Sequence, residues 1–374
     1  MSLSLLMQAP AAPDVQAAWE SLQGFDWVRA LEGCPQDPIH HAEGNVWIHT
    51  RMVLETLGGM AGYRELGEAE RTAVFLACLL HDVAKPFTTR IEEDGRVTAK
   101  GHSRAGEMLA RRILWEMGAP FELREAVCGM IRYHQVPFFL IERGDAQKMA
   151  AEVSLSCRAD LLSLVAEADI RGRECQDLQK VLDNIELFRA FCADEGCYRQ
   201  ARGFASDHTR VVYFRSEGRL PDVPVFDDTK GEMILMCGLP GAGKDTCVRE
   251  RYGDLPVVSL DDLRAELEIE PTENQGAVAQ AAKERLREHL RRGERFVYNA
   301  TSINRQRRAP VLGLAADYGA RVKIVYCEAP MEKLLAQNRA RAGRVPEAVI
   351  RKMSEKWEVP SLTEAHEVEI VVRS

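Results

Sequence analysis

Two sets of residues in this 374-residue chain have the types and spacing to handle phosphate. The first is Gly238-Leu239-Pro240-Gly241-Ala242-Gly243-Lys244-Asp245-Thr246. The apolar run Met233-Ile234-Leu235-Met236-Cys237 before it reads as a buried strand, and residues 247–252 after it read as a helix. Strand, glycine loop and helix start are what a phosphate-binding P-loop requires: backbone N–H groups curl around a polyphosphate, and the helix N-terminus adds a favourable field. Gly238, Gly241, Ala242 and Gly243 would form that cradle, and Lys244 would reach the β- and γ-phosphates. The usual Ser/Thr directly after the lysine is Asp245 here, with Thr246 one place later. The Mg2+ contact therefore falls to Asp245, to Thr246 or to water. A chance glycine turn is the alternative; the spacing and the preceding strand argue against it.

The second set is a series of histidines and acids at wide, ordered spacings. It runs through His40-His41-Ala42-Glu43-Gly44-Asn45-Val46-Trp47-Ile48-His49-Thr50, His81-Asp82-Val83-Ala84-Lys85-Pro86, Gly101-His102, Tyr133-His134-Gln135 and Glu167-Ala168-Asp169. Apolar residues at helical period lie between them, Met52, Val53, Leu54 and Leu57, then Val74, Phe75, Leu76, Leu79 and Leu80. Several helices, each carrying one or two ligands inward, would converge imidazoles and carboxylates on one or two divalent ions. That ligand mixture suits Mn, Fe, Co, Ni or Zn better than Mg alone. Any single histidine is more often a satisfied core or surface residue than a ligand; the ordered set is what points to metal. His40 and His41 are assigned no ligand role.

Downstream of the P-loop, short apolar runs at 257–260, 296–298, 322–326 and 368–372 alternate with helical segments at 276–292, 305–318, 331–340 and 347–357. The alternation implies a parallel sheet wrapped by helices, with the ligand at the carboxyl ends of the strands. Val258-Ser259-Leu260-Asp261-Asp262-Leu263-Arg264 places an acid at one such end and an arginine three residues on. The acid can accept a proton from an attacking hydroxyl and the arginine can hold a phosphate of the acceptor; a helix cap with a surface ion pair has the same pattern. Asn299-Ala300-Thr301 follows another strand, where a motor ATPase would carry a carboxylate. Asn338-Arg339-Ala340-Arg341-Ala342-Gly343-Arg344 is a basic helix end that could close over a nucleotide as a lid. About 145 residues for this half favours a simple kinase over a motor.

The His, His-Asp and distant Asp pattern resembles the HD phosphohydrolase superfamily, matching at His49, His81, Asp82 and Asp169, with His102 and His134 where the two-metal branch has extra histidines. HAEGNVWIHT, HDVAKP and EADIRGR resemble most the HD domain of bacterial tRNA nucleotidyltransferases. The resemblance implies a metal-dependent phosphohydrolase acting on 2′,3′-cyclic phosphates and 2′-phosphates, with Lys85 stabilising developing charge. The P-loop half resembles the bacteriophage-type 5′-OH polynucleotide kinases. That implies ATP or another NTP with Mg2+, Lys244 on the phosphates, Asp261 as general base, Arg264 on the acceptor phosphate and Arg341 as lid arginine, Arg344 being the competing choice. The Asn299-Ala300-Thr301 stretch departs from that family's Asp-Thr-Asn-like pattern. An HD phosphohydrolase fused to such a kinase is similar to bifunctional bacterial RNA end-healing enzymes, a resemblance covering about residues 35–370. It implies RNA or DNA ends as substrates, a separate ligase downstream (no Lys-x-Asp-Gly motif stands here) and an open question of homodimerisation. A small-molecule kinase of nucleosides, sugars or antibiotics, fused to a nucleotide-hydrolysing HD domain, is the main alternative; a nucleotide-sensing regulator is a third.

Composition sets the frame for both. The chain is 46% hydrophobic and 28% charged, an ordinary globular mixture. A net charge of −8 argues against a broad surface coating nucleic acid, though not against a local basic groove. No apolar run has the length of a membrane span, no basic n-region marks a signal peptide, and ten cysteines without CxxC spacing suit a reducing, cytoplasmic setting. The expected plan is an N-terminal lead (1–34), an all-α HD-type domain (35–200) closed by a helix over 177–197, a connector (201–228) with a β-like run at 211–214, and an α/β P-loop kinase domain (229–374).

Overall fold

The computed structural model describes residue 22 and residues 24–373, apart from 40, 341 and 342. The chain divides between Gly203 and Phe204 into two compact units.

The helices of seven residues or more in the first unit are α1 (Asp26–Glu32), α2 (Val46–Gly59), α3 (Glu68–Leu80), α4 (His102–Glu116), α5 (Phe121–Tyr133), α6 (Ala146–Ser154), α7 (Ala159–Arg171) and α8 (Leu178–Asp194). Every residue of α3 from Thr72 to Leu80 is buried, so this helix is apolar all round and forms the middle of the core, with α2, α5 and α7 packed against it. Its start is set by Glu68 and Glu70 in the first turn, which complement the helix dipole, and it ends by delivering His81. Asn45 caps α2, accepting from the Ile48 N–H at 2.9 Å, and so fixes the turn of helix on which His49 stands. The expected closing helix is α8. The first unit is helical, as expected, with one short antiparallel ladder between Arg90–Ile91 and Val97–Thr98. In the described part of the expected N-terminal lead, Leu22 and, on α1, Val28 and Leu31 are buried in the core.

The second unit opens with α9 (Asp207–Arg215) and continues β1 (Glu232–Cys237), α10 (Lys244–Arg251), β2 (Val257–Ser259), α11 (Leu260–Glu266), α12 (Gly276–Arg292), β3 (Arg295–Asn299), α13 (Arg305–Asp317), β4 (Arg321–Glu328), α14 (Met331–Ala340), α15 (Glu347–Ser354) and β5 (Glu367–Val372). The five strands form one parallel sheet in the order β2-β3-β1-β4-β5. Its central strand β1 is buried from Met233 to Cys237, as a strand covered on both faces must be.

Residues 201–228 are not a free connector. Val211 and Val212, read as β-like, lie in α9, which Ser206 caps by accepting the Thr209 N–H. Arg210 of α9 donates to the carbonyls of Leu362 and His366, and these contacts outweigh the local β-branched preference. His366 also stacks on His208; it accepts the Val322 N–H at Nδ1 and so donates through Nε2 to His208 Nδ1, 3.2 Å away. Burial, helped by Arg321 and His208, depresses its pKa from 6.5 to about 4. The unfolded chain thus takes up a proton near pH 6.5 that the folded unit refuses until near pH 4. Stability present above pH 6.5 is lost as pH falls through that window. The second unit's melting temperature is expected to drop between pH 7 and 4, and His366→Asn, whose Oδ1 replaces the acceptor without titrating, should flatten the drop.

Arg308 on α13 is 1% exposed and donates to both carboxylate oxygens of Glu364 and to the carbonyls of Ser302 and Glu358. It thereby holds Ser302 in a left-handed conformation (φ 45°), next to Thr301, whose carbonyl accepts the Gly238 N–H. Arg308→Leu would strand the Glu364 charge in the interior. Calorimetry should show a loss of about 3 kcal/mol confined to the second unit.

Candidate active sites

All six histidines and aspartates singled out as ligands converge in the first unit, delivered mostly from helix ends. His49 lies in the first turn of α2, His81 and Asp82 just beyond α3, His102 at the start of α4, His134 just beyond α5 and Asp169 in the last turn of α7. The ligand atoms of His49, His81 and Asp169 lie within 4.8 Å of one another, and so do those of Asp82, His102 and His134. Asp82 joins the two triads: Oδ2 is 3.2 Å from His81 Nε2, and Oδ1 is 3.5 Å from His102 Nε2. His49 Nε2 stands 3.1 Å from Asp169 Oδ1 and 3.3 Å from His81 Nε2, and the Nε2 atoms of His102 and His134 are also 3.3 Å apart.

These side chains fit divalent ions on three grounds. First, His81, His102 and His134 each aim Nδ1 at a backbone carbonyl (Cys78, Ala99 and Ile131, at 2.7–2.8 Å). A carbonyl only accepts, so in each neutral ring the proton sits on Nδ1 and the Nε2 lone pair faces inward. Facing lone pairs 3.3 Å apart repel unless a cation or proton lies between them. Second, both carboxylate oxygens of Asp82 are buried; among the described residues Oδ1 has no hydrogen-bond partner, while Oδ2 faces the Lys85 ammonium. Third, the cluster demands positive charge. Burial opposes charging His81, yet the Asp82 and Asp169 carboxylates outweigh it and raise its pKa. Burial likewise opposes ionisation of Asp82 and Asp169, but His81 and Lys85 around the first and Arg173 beside the second hold both far below the ordinary carboxylate range. His134, farther from the carboxylates, is pushed by burial down to about 3 and stays a neutral ligand.

Lys85 is buried, with Nζ 2.7 Å from Asp82 Oδ2 and 2.7 Å from Gln36 Oε1. Three supporting residues were not picked out from the sequence. Glu43 takes His49 Nδ1 at 3.0 Å, and His41 Nδ1 at 2.8 Å on the same oxygen. Arg173 grips both oxygens of Asp169 at 2.9 and 2.5 Å. Glu43 and Arg173 stand inside the motif stretches around His49 and Asp169, so a signal existed: an acid shortly before one ligand and an arginine one helical turn after the other. Gln36 had none. His41, left without a ligand role, serves as a partner of Glu43, and burial lowers its pKa to about 4; His40 lies outside the described residues.

In the second unit, Gly238 to Gly243 form the turn between β1 and α10, and Lys244, Asp245 and Thr246 open the helix. The helix begins at Lys244 rather than at Cys247, which puts its first N–H groups at the loop. Gly238 has φ 142°, and a Cβ there would stand 2.2 Å from the Cys327 carbonyl oxygen, so only glycine fits. Lys244 is buried and donates from Nζ to the carbonyls of Gly238 and Leu239 at 2.9 and 3.0 Å, folded back across the loop. Asp245 is exposed and accepts from Asn299 Nδ2 at 2.8 Å, which ties the residue after the lysine to the end of β3. Thr246 is half-buried.

Asp261 and Arg264 lie on α11, directly after β2, whose Ser259 pairs with Asn299 of β3. They form an ion pair at 2.6 Å, with Asp261 68% exposed and Arg264 also donating to Gln275 Oε1 at 2.7 Å. Ser259 caps the helix, accepting the Asp262 N–H, and Asp261 is an exposed carboxylate at the carboxyl edge of the sheet. Arg344 is exposed beyond α14, where Asn338 bonds Val345 through both its carbonyl and its amide. Arg341 lies outside the described residues.

The HD domain family matches residues 46–165, and the AAA domain family matches residues 233–360. Among known proteins, the Multifunctional CCA protein of Halorhodospira halophila is 36% identical over 29% of this chain and 23% of its own length. The CC-adding tRNA nucleotidyltransferase of Thermus thermophilus is 34% identical over 28% of this chain and 22% of its own. The L-seryl-tRNA(Sec) kinase of Methanococcus maripaludis is 22% identical over 34% of this chain and 53% of its own. The chain thus spans less than a quarter of the first two relatives and about half of the third. Helical ligand cluster and parallel-sheet phosphate loop agree with these matches, and the chain carries an HD domain followed by a P-loop kinase domain of the AAA type.

Proposed function

We propose that the chain heals broken RNA ends, with the kinase domain phosphorylating a 5′-hydroxyl and the HD domain hydrolysing a 2′,3′-cyclic phosphate or 2′-phosphate. The observation that carries this reading is the coexistence in one chain of a six-ligand His/Asp cluster and a phosphate loop with an Asp261–Arg264 pair at the same sheet edge. Relatives whose names place them on transfer RNA support an RNA substrate.

At the HD site, His49, His81, Asp82, His102, His134 and Asp169 would hold one or two divalent transition metals, which supply an activated water and charge neutralisation for the phosphoryl oxygens. Glu43 and Arg173 orient His49 and Asp169, and Lys85, beside Asp82, is placed to offset charge developing on the phosphate. At the kinase site, the cradle of Gly238, Gly241, Ala242 and Gly243 would take an NTP with Mg2+, the ion being held by Asp245, by Thr246 or through water. Lys244 leaves its carbonyl partners for the β- and γ-phosphates. Asp261 accepts the proton of the attacking 5′-hydroxyl, Arg264 holds the adjoining phosphate of the strand, and Arg341, with Arg344 as its competitor, neutralises the transferred group. The 5′-oxygen forms its bond to the γ-phosphorus as the bond to the leaving nucleoside diphosphate breaks.

An RNA oligonucleotide bearing a 5′-hydroxyl and a 2′,3′-cyclic phosphate, incubated with ATP, Mg2+ and Mn2+, tests the reading. Both ends should change. Untouched ends, together with phosphorylation or hydrolysis of free nucleosides and nucleotides, would replace it with a small-molecule kinase fused to a nucleotide hydrolase.

A further inference from the structure

The nucleotide loop has a cationic neighbour that lies far from it in sequence. Arg373 follows β5 at the sheet edge, and its backbone N–H donates to the Glu328 carbonyl at 2.8 Å, beside the end of β4. From there its side chain lies over the loop. A Cβ built on Gly243 would stand 3.2 Å from Arg373 Cδ, 3.3 Å from Nε and 3.7 Å from Cζ. Gly243 caps the start of α10 with φ 90°, so glycine is needed both for the backbone and for the approach of this arginine. One end of the guanidinium is tethered, Nη2 donating to Glu250 Oε2 at 2.9 Å. The other is not: Nε is buried and has no hydrogen-bond partner among the described residues.

This arrangement favours an anion in the loop. A guanidinium stands at the N-terminus of a helix, where unpaired N–H groups and the dipole already make the potential positive. Lys244, whose ammonium is buried, is the residue next to Gly243, and Glu250, more than half exposed, offers only a solvent-screened counter-charge. A buried donor left unpaired adds to the cost. An anion in the loop removes all of these penalties together.

We propose that Arg373 binds the phosphate chain of the nucleotide through its Nε–H, as a phosphate ligand from outside the P-loop. The proposal rests on reading the loop as a nucleoside triphosphate site. Glu250 keeps the guanidinium pre-oriented between turnovers. Arginine suits this double task because one edge can grip the carboxylate while Nε–H serves the phosphate; lysine has a single mobile head.

Calorimetric titration of the full chain with ATP·Mg2+ and with inorganic tripolyphosphate, in wild type, Arg373→Gln and Arg373→Lys, tests this. Arg373→Gln should weaken both ligands about tenfold, the scale of one charge-assisted hydrogen bond, and Arg373→Lys should recover part of the loss while preserving the fold. Unchanged affinities in Arg373→Gln, or a loss for ATP with none for tripolyphosphate, would overturn it, the second outcome assigning Arg373 to the base or sugar. Absence of binding in wild type to either ligand would instead remove the triphosphate-site reading and Arg373 with it.

Discussion

Asp82→Asn is expected to lower hydrolysis at the HD site by about 10³-fold, because charge stabilisation of this kind contributes several kcal/mol, while leaving 5′-phosphorylation intact. The size follows from where Asp82 stands. Its two oxygens face different triads, Oδ2 toward His81 and Oδ1 toward His102, so one substitution weakens both groupings. Asparagine keeps the volume but replaces one acceptor by an N–H2 group that cannot ligate a cation and would face the imidazole lone pairs. The protein should also retain less metal after dialysis against a weak chelator, measured by elemental analysis, a readout independent of turnover. Near-normal hydrolysis with normal metal content would show that the two triads do not depend on Asp82.

Lys244→Ala should lower 5′-phosphorylation by about 10³-fold, the scale of losing one preorganised charge at a reacting phosphoryl group, with cyclic phosphate hydrolysis unchanged. In this structure Lys244 satisfies the carbonyls of Gly238 and Leu239, so its ammonium is already inside the cradle and moves only a short way to the phosphates. Removing it deletes charge at the point where negative charge builds up during transfer. Assaying both ends of one oligonucleotide in parallel separates the two variants: each should silence one end and spare the other.

Much of this was legible in the residues because the relevant signals are local. A P-loop is a contiguous stretch with a strand on one side and a helix on the other, and β1, α12 and α14 fall where the apolar period places them. The ligand histidines were legible for a different reason: buried imidazoles and carboxylates recur at spacings set by helix length. Residues 211–214 went the other way. Their β-branched and aromatic types favour a strand, but the Ser206 cap and the contacts of Arg210 hold them in a helix, and nothing local encodes those carbonyl partners.

The amino-acid order by itself pointed to a helical half followed by a P-loop half with a parallel sheet, through apolar periodicity and the contiguous glycine loop, and it singled out six candidate ligand positions through ordered spacing and motif resemblance. Tertiary structure alone decided the partners: Asp82 between His81 and His102, Glu43 behind His49, Arg173 on Asp169, Asn299 on Asp245, and Arg373 over Gly243. These contacts join residues up to about 130 positions apart. Their energies come from low-dielectric burial and close pairing in space, which no one-dimensional spacing records.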